Sequence, residues 1–333
     1  MPEPIKLSIS IVHHHGLELL RACLASIYAN APDFPFEVIV VDNVSTDGAV
    51  EMMENHFPQV RLIRNTERHG FGFNQNTGIA ASLGEHIFIL NDDTVIIANA
   101  LSCLCAYLDA HPAVGLVGPR VLNGDGTLQL SCYKFPSPIR CIWENSLLTA
   151  AFPDSTIFGD YRKWNHEEER SVDFIIGAAM LVRRAVIEAV GTFDSLFFMY
   201  SEETDWQIRI RAAGWDIRLC PQAQITHFGG QSTEGFKDKQ FAEFQISSVR
   251  LMTKHYGAPG ALIQRTSMIS GSLLRLALWS AIPLLAPGKR EVSQEQIACW
   301  KRLLGWWSGF GPHEGLAPPV NASQPQKFIK DSE

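Results

Sequence analysis

Apolar and polar positions alternate with two different periods along the first hundred residues. In "KLSISIV" Leu7, Ile9 and Ile11 recur every second residue, as a strand requires, while "FEVIVVD" is an unbroken β-branched run suited to a strand buried on both faces. "QVRLIRN" alternates again, and "EHIFILND" is a second buried run that ends in acid. Between them Leu20, Cys23, Leu24, Ile27 and Tyr28 fall at i, i+3, i+4, i+7 and i+8, the apolar stripe of a helix over 17–28. Strand and helix in alternation predict an α/β fold with a mostly parallel sheet covered on both faces. Ligands of such sheets bind outside the carboxyl ends of the strands. Attention therefore falls on "HHHG" at 13–16, "DNVSTDG" at 42–48 and "NDDT" at 91–94.

Further along, the Asn-Gly and Asp-Gly steps of "GPRVLNGDGTLQ" predict a hairpin. Residues 131–170 are irregular, rich in aromatics, proline and charge, and suit a mobile loop or an acceptor-side insertion. "VDFIIGAAMLVRRAVIEAVGTFD" predicts a strand, a Gly-Ala turn and a helix. From Ala261 to Ala286 the chain is strongly apolar, with Arg265 and Arg275 interrupting it and Pro283 expected to break it. Its uncharged run, Leu276 to Gly288, is shorter than the ~20 residues of a spanning helix. Lys289, Arg290, Lys301 and Arg302 lie near Trp300, Trp306 and Trp307, which fits either a helix resting on an anionic membrane or an extension packed on the main domain. The expected organisation is a catalytic domain over 1–235, a helical, membrane-associating extension over 236–310 and a flexible tail over 311–333.

Composition narrows the classes. Charged residues make up 19% and hydrophobic ones 46%, so a folded core is expected. A net charge of −7 argues against nucleic acid as the main partner, because phosphate backbones demand a basic surface. From Ala261 onward eight basic residues face five acidic ones, so the tail carries about +3 and the body about −10. Seven scattered cysteines and a start without a charged, then apolar, leader point to a reduced, cytoplasmic setting. Cys103 and Cys105 form CxC with no second pair, which suits buried thiols better than metal ligands.

Several strand-end residues could carry chemistry. Asp42 ends a buried strand, with Asn43, Ser45 and Asp47 behind it. An acid there can accept hydrogen bonds from ribose or a base, or can simply close an Asx-turn. Asp92 and Asp93 follow an apolar strand, where adjacent carboxylates repel unless a cation or solvent compensates them. Mg2+ or Mn2+, which take oxygen ligands, would explain the pair. Gly70, Gly72 and Gly78 are not spaced as GxGxxG; they suit close backbone approach, with Asn74 and Asn76 capping the following helix. Of His13, His14 and His15, a strand would send alternate side chains to opposite faces, so one is expected near the ligand. His227, ahead of Gly-Gly, could join a metal or phosphate site. In "YSEETDW", Ser201 would cap a helix whose first turn holds Glu202 and Glu203, while Asp205 pairs with Arg209 at i,i+4. Helix-dipole stabilisation and catalysis explain these acids equally well at this point.

"VVDNVSTDG", "RNTERHGFGFNQNTGI", "ILNDDT", "GAAMLVRRAVIEAVGTFDSLFFMYSEETDWQIRIRAAGW" and "THFGGQST" occur together and in order. Over roughly 5–232 the chain resembles the family 2 glycosyltransferases, most closely their rhamnosyltransferase-like branch. The resemblance implies a GT-A fold, a Rossmann-like mixed sheet flanked by helices, here with a C-terminal helical extension. It implies Asp42, Asn43, Ser45, Asn74, Asn76 and Asp92 on the nucleotide-sugar side, Asp93, Asn91 and His227 around Mg2+ or Mn2+, and Glu203, with Glu202 as rival, as catalytic base. The family usually has Glu-Asp where this chain has Glu202-Glu203, and Thr-Tyr-Asn where it has three histidines. The implied reaction is inverting transfer from a dTDP-, UDP- or GDP-sugar, dTDP-rhamnose first, to a glycan or lipid-linked hydroxyl in cell-surface polysaccharide synthesis. It would take place at the inner face of the cell membrane. A non-catalytic sugar-binding protein on the same fold is the alternative, and nucleotidylyl transfer lacks the basic Gly-rich loop it would need.

Overall fold

The computed structural model describes residues 3–161, 163–229 and 237–309. The chain runs β1 (Leu7–His13), α1 (Leu17–Ala29), β2 (Phe36–Asp42), α2 (Ala49–His56), β3 (Arg61–Arg64), α3 (Phe71–Ala81), β4 (His86–Asn91), β5 (Thr94–Ile96) and α4 (Ala100–Ala110). It continues with β6 (Val114–Leu122), β7 (Cys132–Tyr133), α5 (Pro138–Asn145), α6 (Leu148–Ala151), β8 (Arg170–Ser171), β9 (Phe174–Ile175), β10 (Ala179–Arg183) and α7 (Arg184–Val190). It ends with α8 (Glu202–Ala212), β11 (Asp216–His227), α9 (Lys237–Leu285) and α10 (Arg290–Ser308). The domain boundary expected at 235/236, Gly230 to Thr233 of the last motif and the tail over 311–333 lie outside the described residues.

Nine strands form one mixed sheet in the order β3-β2-β1-β4-β10-β6-β11-β5, with β8 added on β11. β1 pairs in parallel with β2 and β4, and β2 with β3. β10 is antiparallel to both β4 and β6, so β6, and β11 parallel to it, run in the same direction as β1. The carboxyl ends of β1, β2, β4, β6 and β11 therefore share one edge, where His13 sits level with Asp42 and Val12 with Asn91.

Two apolar layers cover the sheet. One packs α1, α2 and α4 on residues such as Ile9, Ile11, Val38 and Leu90; the other packs α3, α7 and α8 with β7 and β9 on Ile87, Ile89, Leu116 and Met180. The helix expected over 17–28 is α1, which buries Leu20, Cys23, Leu24 and Ile27. Burying such side chains contributes about 1.5–3 kcal/mol each, which fixes the helix on the sheet. The alternation in β1 does not mark a solvent face. Ser8 and Ser10 are fully buried, Ser8 Oγ donating to Glu37 Oε1 (2.6 Å) and Ser10 Oγ to Gln75 Oε1 (2.7 Å).

The hairpin expected after β6 is reduced to the turn in which Asn123 N–H donates to Thr127 O, with one antiparallel bridge between Leu122 and Leu128. The 131–170 region carries β7, α5, α6 and the start of β8 rather than a featureless loop. α9 kinks at Gly257 (φ 67°), a left-handed conformation that suits glycine. Pro283 lies inside α9, which ends only at Leu285; a proline in a last turn removes one donor without forcing an earlier stop.

Gly70 needs its missing side chain for a steric reason. A Cβ there would lie 2.2 Å from Phe198 O, the atom to which Phe71 N–H donates at 2.9 Å. Gly70→Ala is expected to lower stability by about 1–3 kcal/mol, seen as a lower urea midpoint with an unchanged slope.

Candidate active site

One edge of the candidate site is built by the ends of β1, β2 and β4. Asp42 is 3% exposed; its Oδ1 accepts from Ser45 N–H (3.2 Å), closing an Asx-turn in which Val44 has φ 59°. Ser45, Thr46, Gly48, Val50, Glu51 and Arg64 line an adjoining cavity of about 360 Å³. Asp47 accepts from Gly16 N–H (2.8 Å) and approaches His13 Nε2 (3.4 Å). Burial pushes the Asp47 carboxyl up, but the His13 charge and the amides of Gly16 and Ala49 outweigh it and hold the group below the usual range.

His13 is the ring that reaches the site. It is fully buried, and its Nδ1 donates to Asp92 Oδ2 at 2.7 Å. Burial alone would lower its pKa, yet the hydrogen bond and charge of Asp92, with Asp47 behind, raise it. Asp92 is raised in turn, chiefly by burial and further by Asp93, against the opposing pull of His13. His14 turns away to Asn43 O (2.9 Å), and His15 points to solvent.

Asp93 is 4% exposed, and its Oδ1 has no hydrogen-bond partner. His227 Nε2 faces that oxygen at 3.1 Å, with Asn91 Nδ2 at 3.5 Å from the same nitrogen. The other ring nitrogen, Nδ1, donates to Gln129 Oε1 (2.6 Å), whose amide nitrogen is committed to Asn123 Oδ1 (2.9 Å). With Nδ1 engaged by Gln129, Nε2 is the ring nitrogen turned toward the buried Asp93 carboxylate. A carboxylate, an imidazole and a carboxamide are a donor set that a small divalent cation accepts. The separate cluster of Glu85, His86 and Asp109, with ligand atoms within 4.8 Å, lies at the opposite end of β4, where Lys6 already neutralises Asp109.

On the acceptor side, α8 begins at Glu202. Ser201 occupies the cap position but makes no side-chain cap bond, because it and Tyr200 both adopt φ 67° and turn the hydroxyl away. Two successive left-handed residues cost about 1–2 kcal/mol each. The turn separates two acids that the sequence could not rank. Glu202 is 4% exposed with Oε2 lacking a partner, while Glu203 stays partly open and packs over Gly177 in the β9–β10 turn. Burial, then the Glu203 charge, pushes Glu202 well above the usual glutamate value. Burial raises Glu203 too, opposed by its own amide and that of Thr204. Asp205 is fully buried and binds Arg209 Nε (3.0 Å), Lys254 Nζ (2.7 Å) and His255 Nε2 (2.8 Å), so the expected i,i+4 pair is one of three.

Three asparagines expected at the site bond to the protein's own backbone. Asn43 is spent on protein: Nδ2 donates to His69 O (3.0 Å) and Oδ1 accepts from His69 N–H (2.9 Å). Asn74, fully buried within α3, donates to Gly70 O (3.0 Å) and accepts from Asn65 Nδ2 (2.6 Å). Asn76 forms an amide pair with Phe193, donating to its O (2.8 Å) and accepting from its N–H (3.0 Å). The two α3 residues are no caps, because the helix already starts at Phe71. All three carboxamides bind backbone in this way and so hold the loops at this edge. Sequence reading missed Gln129, Lys254 and His255; nothing local marks them, since each acts across about 50 to 100 residues.

A family model described as "Glycosyl transferase family 2" matches residues 8–191, more than half of the chain. The chain belongs to glycosyl transferase family 2. It is 32% identical over 290 residues to N-acetylglucosaminyl-diphospho-decaprenol L-rhamnosyltransferase of Mycobacterium tuberculosis, covering 80% of this chain and 93% of that one. To the rhamnosyltransferase WbbL of Escherichia coli it is 24% identical over 258 residues, covering 74% and 92%. Among solved structures, the mannosyltransferase PcManGT from Pyrobaculum calidifontis, in complex with GDP-Man and Mn2+, superposes with a TM-score of 0.57 at 18% identity, covering 93% of this chain and 86% of that one. This glycosyltransferase thus has the GT-A fold expected from its motifs, and it is an enzyme rather than a non-catalytic binder.

Two outcomes test the acceptor-side turn. Ser201→Gly is expected to stabilise the fold by up to about 1 kcal/mol, because glycine adopts φ 67° without the Cβ penalty, and chemical denaturation reads this directly. A raised carboxyl favours folding in its protonated form. Stability contributed by Glu202 should therefore fall as pH rises from the ordinary glutamate value through its raised one, and Glu202→Gln should flatten that dependence in urea titrations across pH.

Proposed function

We propose that this enzyme transfers L-rhamnose from dTDP-rhamnose to a hydroxyl of an N-acetylglucosaminyl diphosphate carried on a polyprenyl lipid, with inversion at the anomeric carbon. The observation that carries the choice of substrates is the 32% identity to the mycobacterial rhamnosyltransferase over 93% of that protein. The geometry supports the mechanism. Ser45, whose amide is held by Asp42, lines the cavity that suits the nucleoside, and Asp92, held by His13, faces the same edge. Asp93 and His227, with Asn91 beside them, would hold Mg2+ or Mn2+, which when bound offsets the charge that develops on the diphosphate leaving group.

Glu203 is the base. It removes the proton from the acceptor hydroxyl as that oxygen attacks the anomeric carbon and the bond to the diphosphate breaks on the opposite face. One displacement with one base inverts the centre and needs no covalent intermediate. Burial keeps the Glu202 side chain protonated over a wider pH range, so it leaves Glu203 as the ionised member of the pair.

The C-terminal helices suit a membrane-borne acceptor. α9 contains a stretch, Glu243–Leu285, long and apolar enough to cross a membrane by length and composition. Its arginines, however, face protein: Arg265 donates to Trp307 O (2.8 Å) of α10, and Arg275 to Glu144 O (2.8 Å) and Asn145 O (3.1 Å) at the end of α5. Crossing the bilayer would carry those backbone groups of α5 into hydrocarbon. Leu262, Leu273, Leu278, Leu284 and Leu285 instead point outward, with Leu284 at 83% and Leu285 at 88% exposure just before Lys289 and Arg290. This face rests on the anionic inner leaflet, and the enzyme works as a peripheral protein there.

Glu203→Gln should leave dTDP binding within about twofold and lower kcat by roughly 100-fold or more in rhamnosyl transfer to a polyprenyl-diphosphate acceptor. Near-wild-type turnover would remove Glu203 as base. In the wild type, kcat should fall as pH drops through the raised Glu203 pKa, and the Gln variant should lose that limb. Asp93→Ala should abolish the chelator sensitivity of dTDP binding. A Leu284→Ser, Leu285→Ser variant should sediment less with phosphatidylglycerol vesicles than the wild type does; equal sedimentation would refute the membrane face.

A further inference from the structure

The turn that aims Glu203 does not hold itself. Tyr200 and Ser201 both sit at φ 67°, and Ser201 adds no capping bond. Conformations of this kind persist only where their surroundings over-determine them. Here the surroundings come from one face of α9. Ser247 Oγ donates to Met199 O at 2.8 Å, the Phe244 ring meets Tyr200 edge-on with centroids 5.7 Å apart, and Lys254 and His255 grip the buried Asp205. Lys254 also reaches Asp194 at 2.6 Å, tying in the segment that leads to the turn. Ser247, Leu251, Lys254 and His255 are spaced at i, i+4, i+7 and i+8, so one face of α9, buried at Ser247 and Leu251 and opening toward solvent at Lys254, lies along residues 194–205.

We infer that this stripe of the C-terminal helix is a working part of the catalytic centre, with Ser247, Lys254 and His255 acting as positioning residues for Glu203. Met199 is fixed on one side of the strained turn and Asp205 on the other, four and two residues from the base. Arg209, the third partner of Asp205, lies on α8 itself and docks that helix on α7 through Val190 O and Thr192 O (2.7 Å each). It therefore secures the body of α8, while α9 supplies the side chains that grip its first turn through Met199 and Asp205. Loosening the clamp would let the carboxylate drift while leaving the donor edge, which lies on other strands, untouched. This rests on Glu203 being the base, as proposed above.

The test uses the full-length chain with Ser247→Ala, and with Lys254→Met combined with His255→Leu. It follows amide hydrogen exchange over residues 199–206, dTDP affinity by calorimetry, and kcat with the pH profile of rhamnosyl transfer. The expected result is faster exchange in that segment, dTDP affinity within about twofold of wild type and kcat lower by roughly 10–100-fold, with the smaller effect in Ser247→Ala. Lys254→Arg with His255→Gln should restore most of kcat. Unchanged exchange at 199–206 overturns the clamp whatever the reaction proves to be. Faster exchange with unchanged kcat overturns its catalytic role, as does an equal loss of dTDP affinity and kcat, which would mark a general structural part. Active Glu203→Gln in the same assay would instead strike the base assignment and leave the exchange result standing.

Discussion

Because β1, β2 and β4 run parallel, with His13 level with Asp42 and Val12 level with Asn91, three strand ends open onto one line. The rest of the molecule depends on that register. A shift of one residue would turn Asp42 and Asp93 to the wrong faces and expose the buried runs behind them. β10 then reverses direction between β4 and β6, which lets β11 return parallel and deliver His227 to the same edge, beside Asp93. That Asn91 and His227, 136 positions apart, meet at this edge follows from strand order alone.

Much of this was legible in the chain. Buried β-branched runs ending in Asp42 and in Asn91–Asp93 announce strand ends, and the strand rule says where to look for a ligand. The amide side chains were not legible. Asn43, Asn74 and Asn76 stand among glycines near a ligand edge, yet a carboxamide satisfies a loop backbone as readily as a nucleotide, and only the partner distinguishes the two uses. The role of Ser201 was misread for a related reason. A serine before acids suggests a cap, but capping needs an extended backbone, and at φ 67° the hydroxyl cannot turn back to the helix.

The C-terminal helix shows a different limit. Its composition fitted either a helix resting on a membrane or an extension packed on the main domain, and the structure shows outward leucines together with arginines bonded to the backbone of α5 and α10. Nothing in composition pairs Lys254 and His255 with Asp205, because ion pairs across some 50 residues leave no local period. Gln129 is equally silent, holding the His227 ring through its Oε1 across 98 positions.

The acids of "YSEETDW" illustrate how burial assigns work to otherwise similar groups. Asp205 loses all contact with solvent but gains Arg209, Lys254 and His255 as partners, so it becomes an anchor. Glu202 is buried almost as deeply and gains none, so desolvation favours its protonated form. Glu203, on the open side of the same turn, keeps access to the surface and two backbone amides that favour its charge. A base must be ionised, reachable and held. In the reading proposed above, Glu203 is the one of the three that meets the first two conditions together. The third is supplied by Asp205, which can hold the turn because α9 leaves its carboxylate no other conformation.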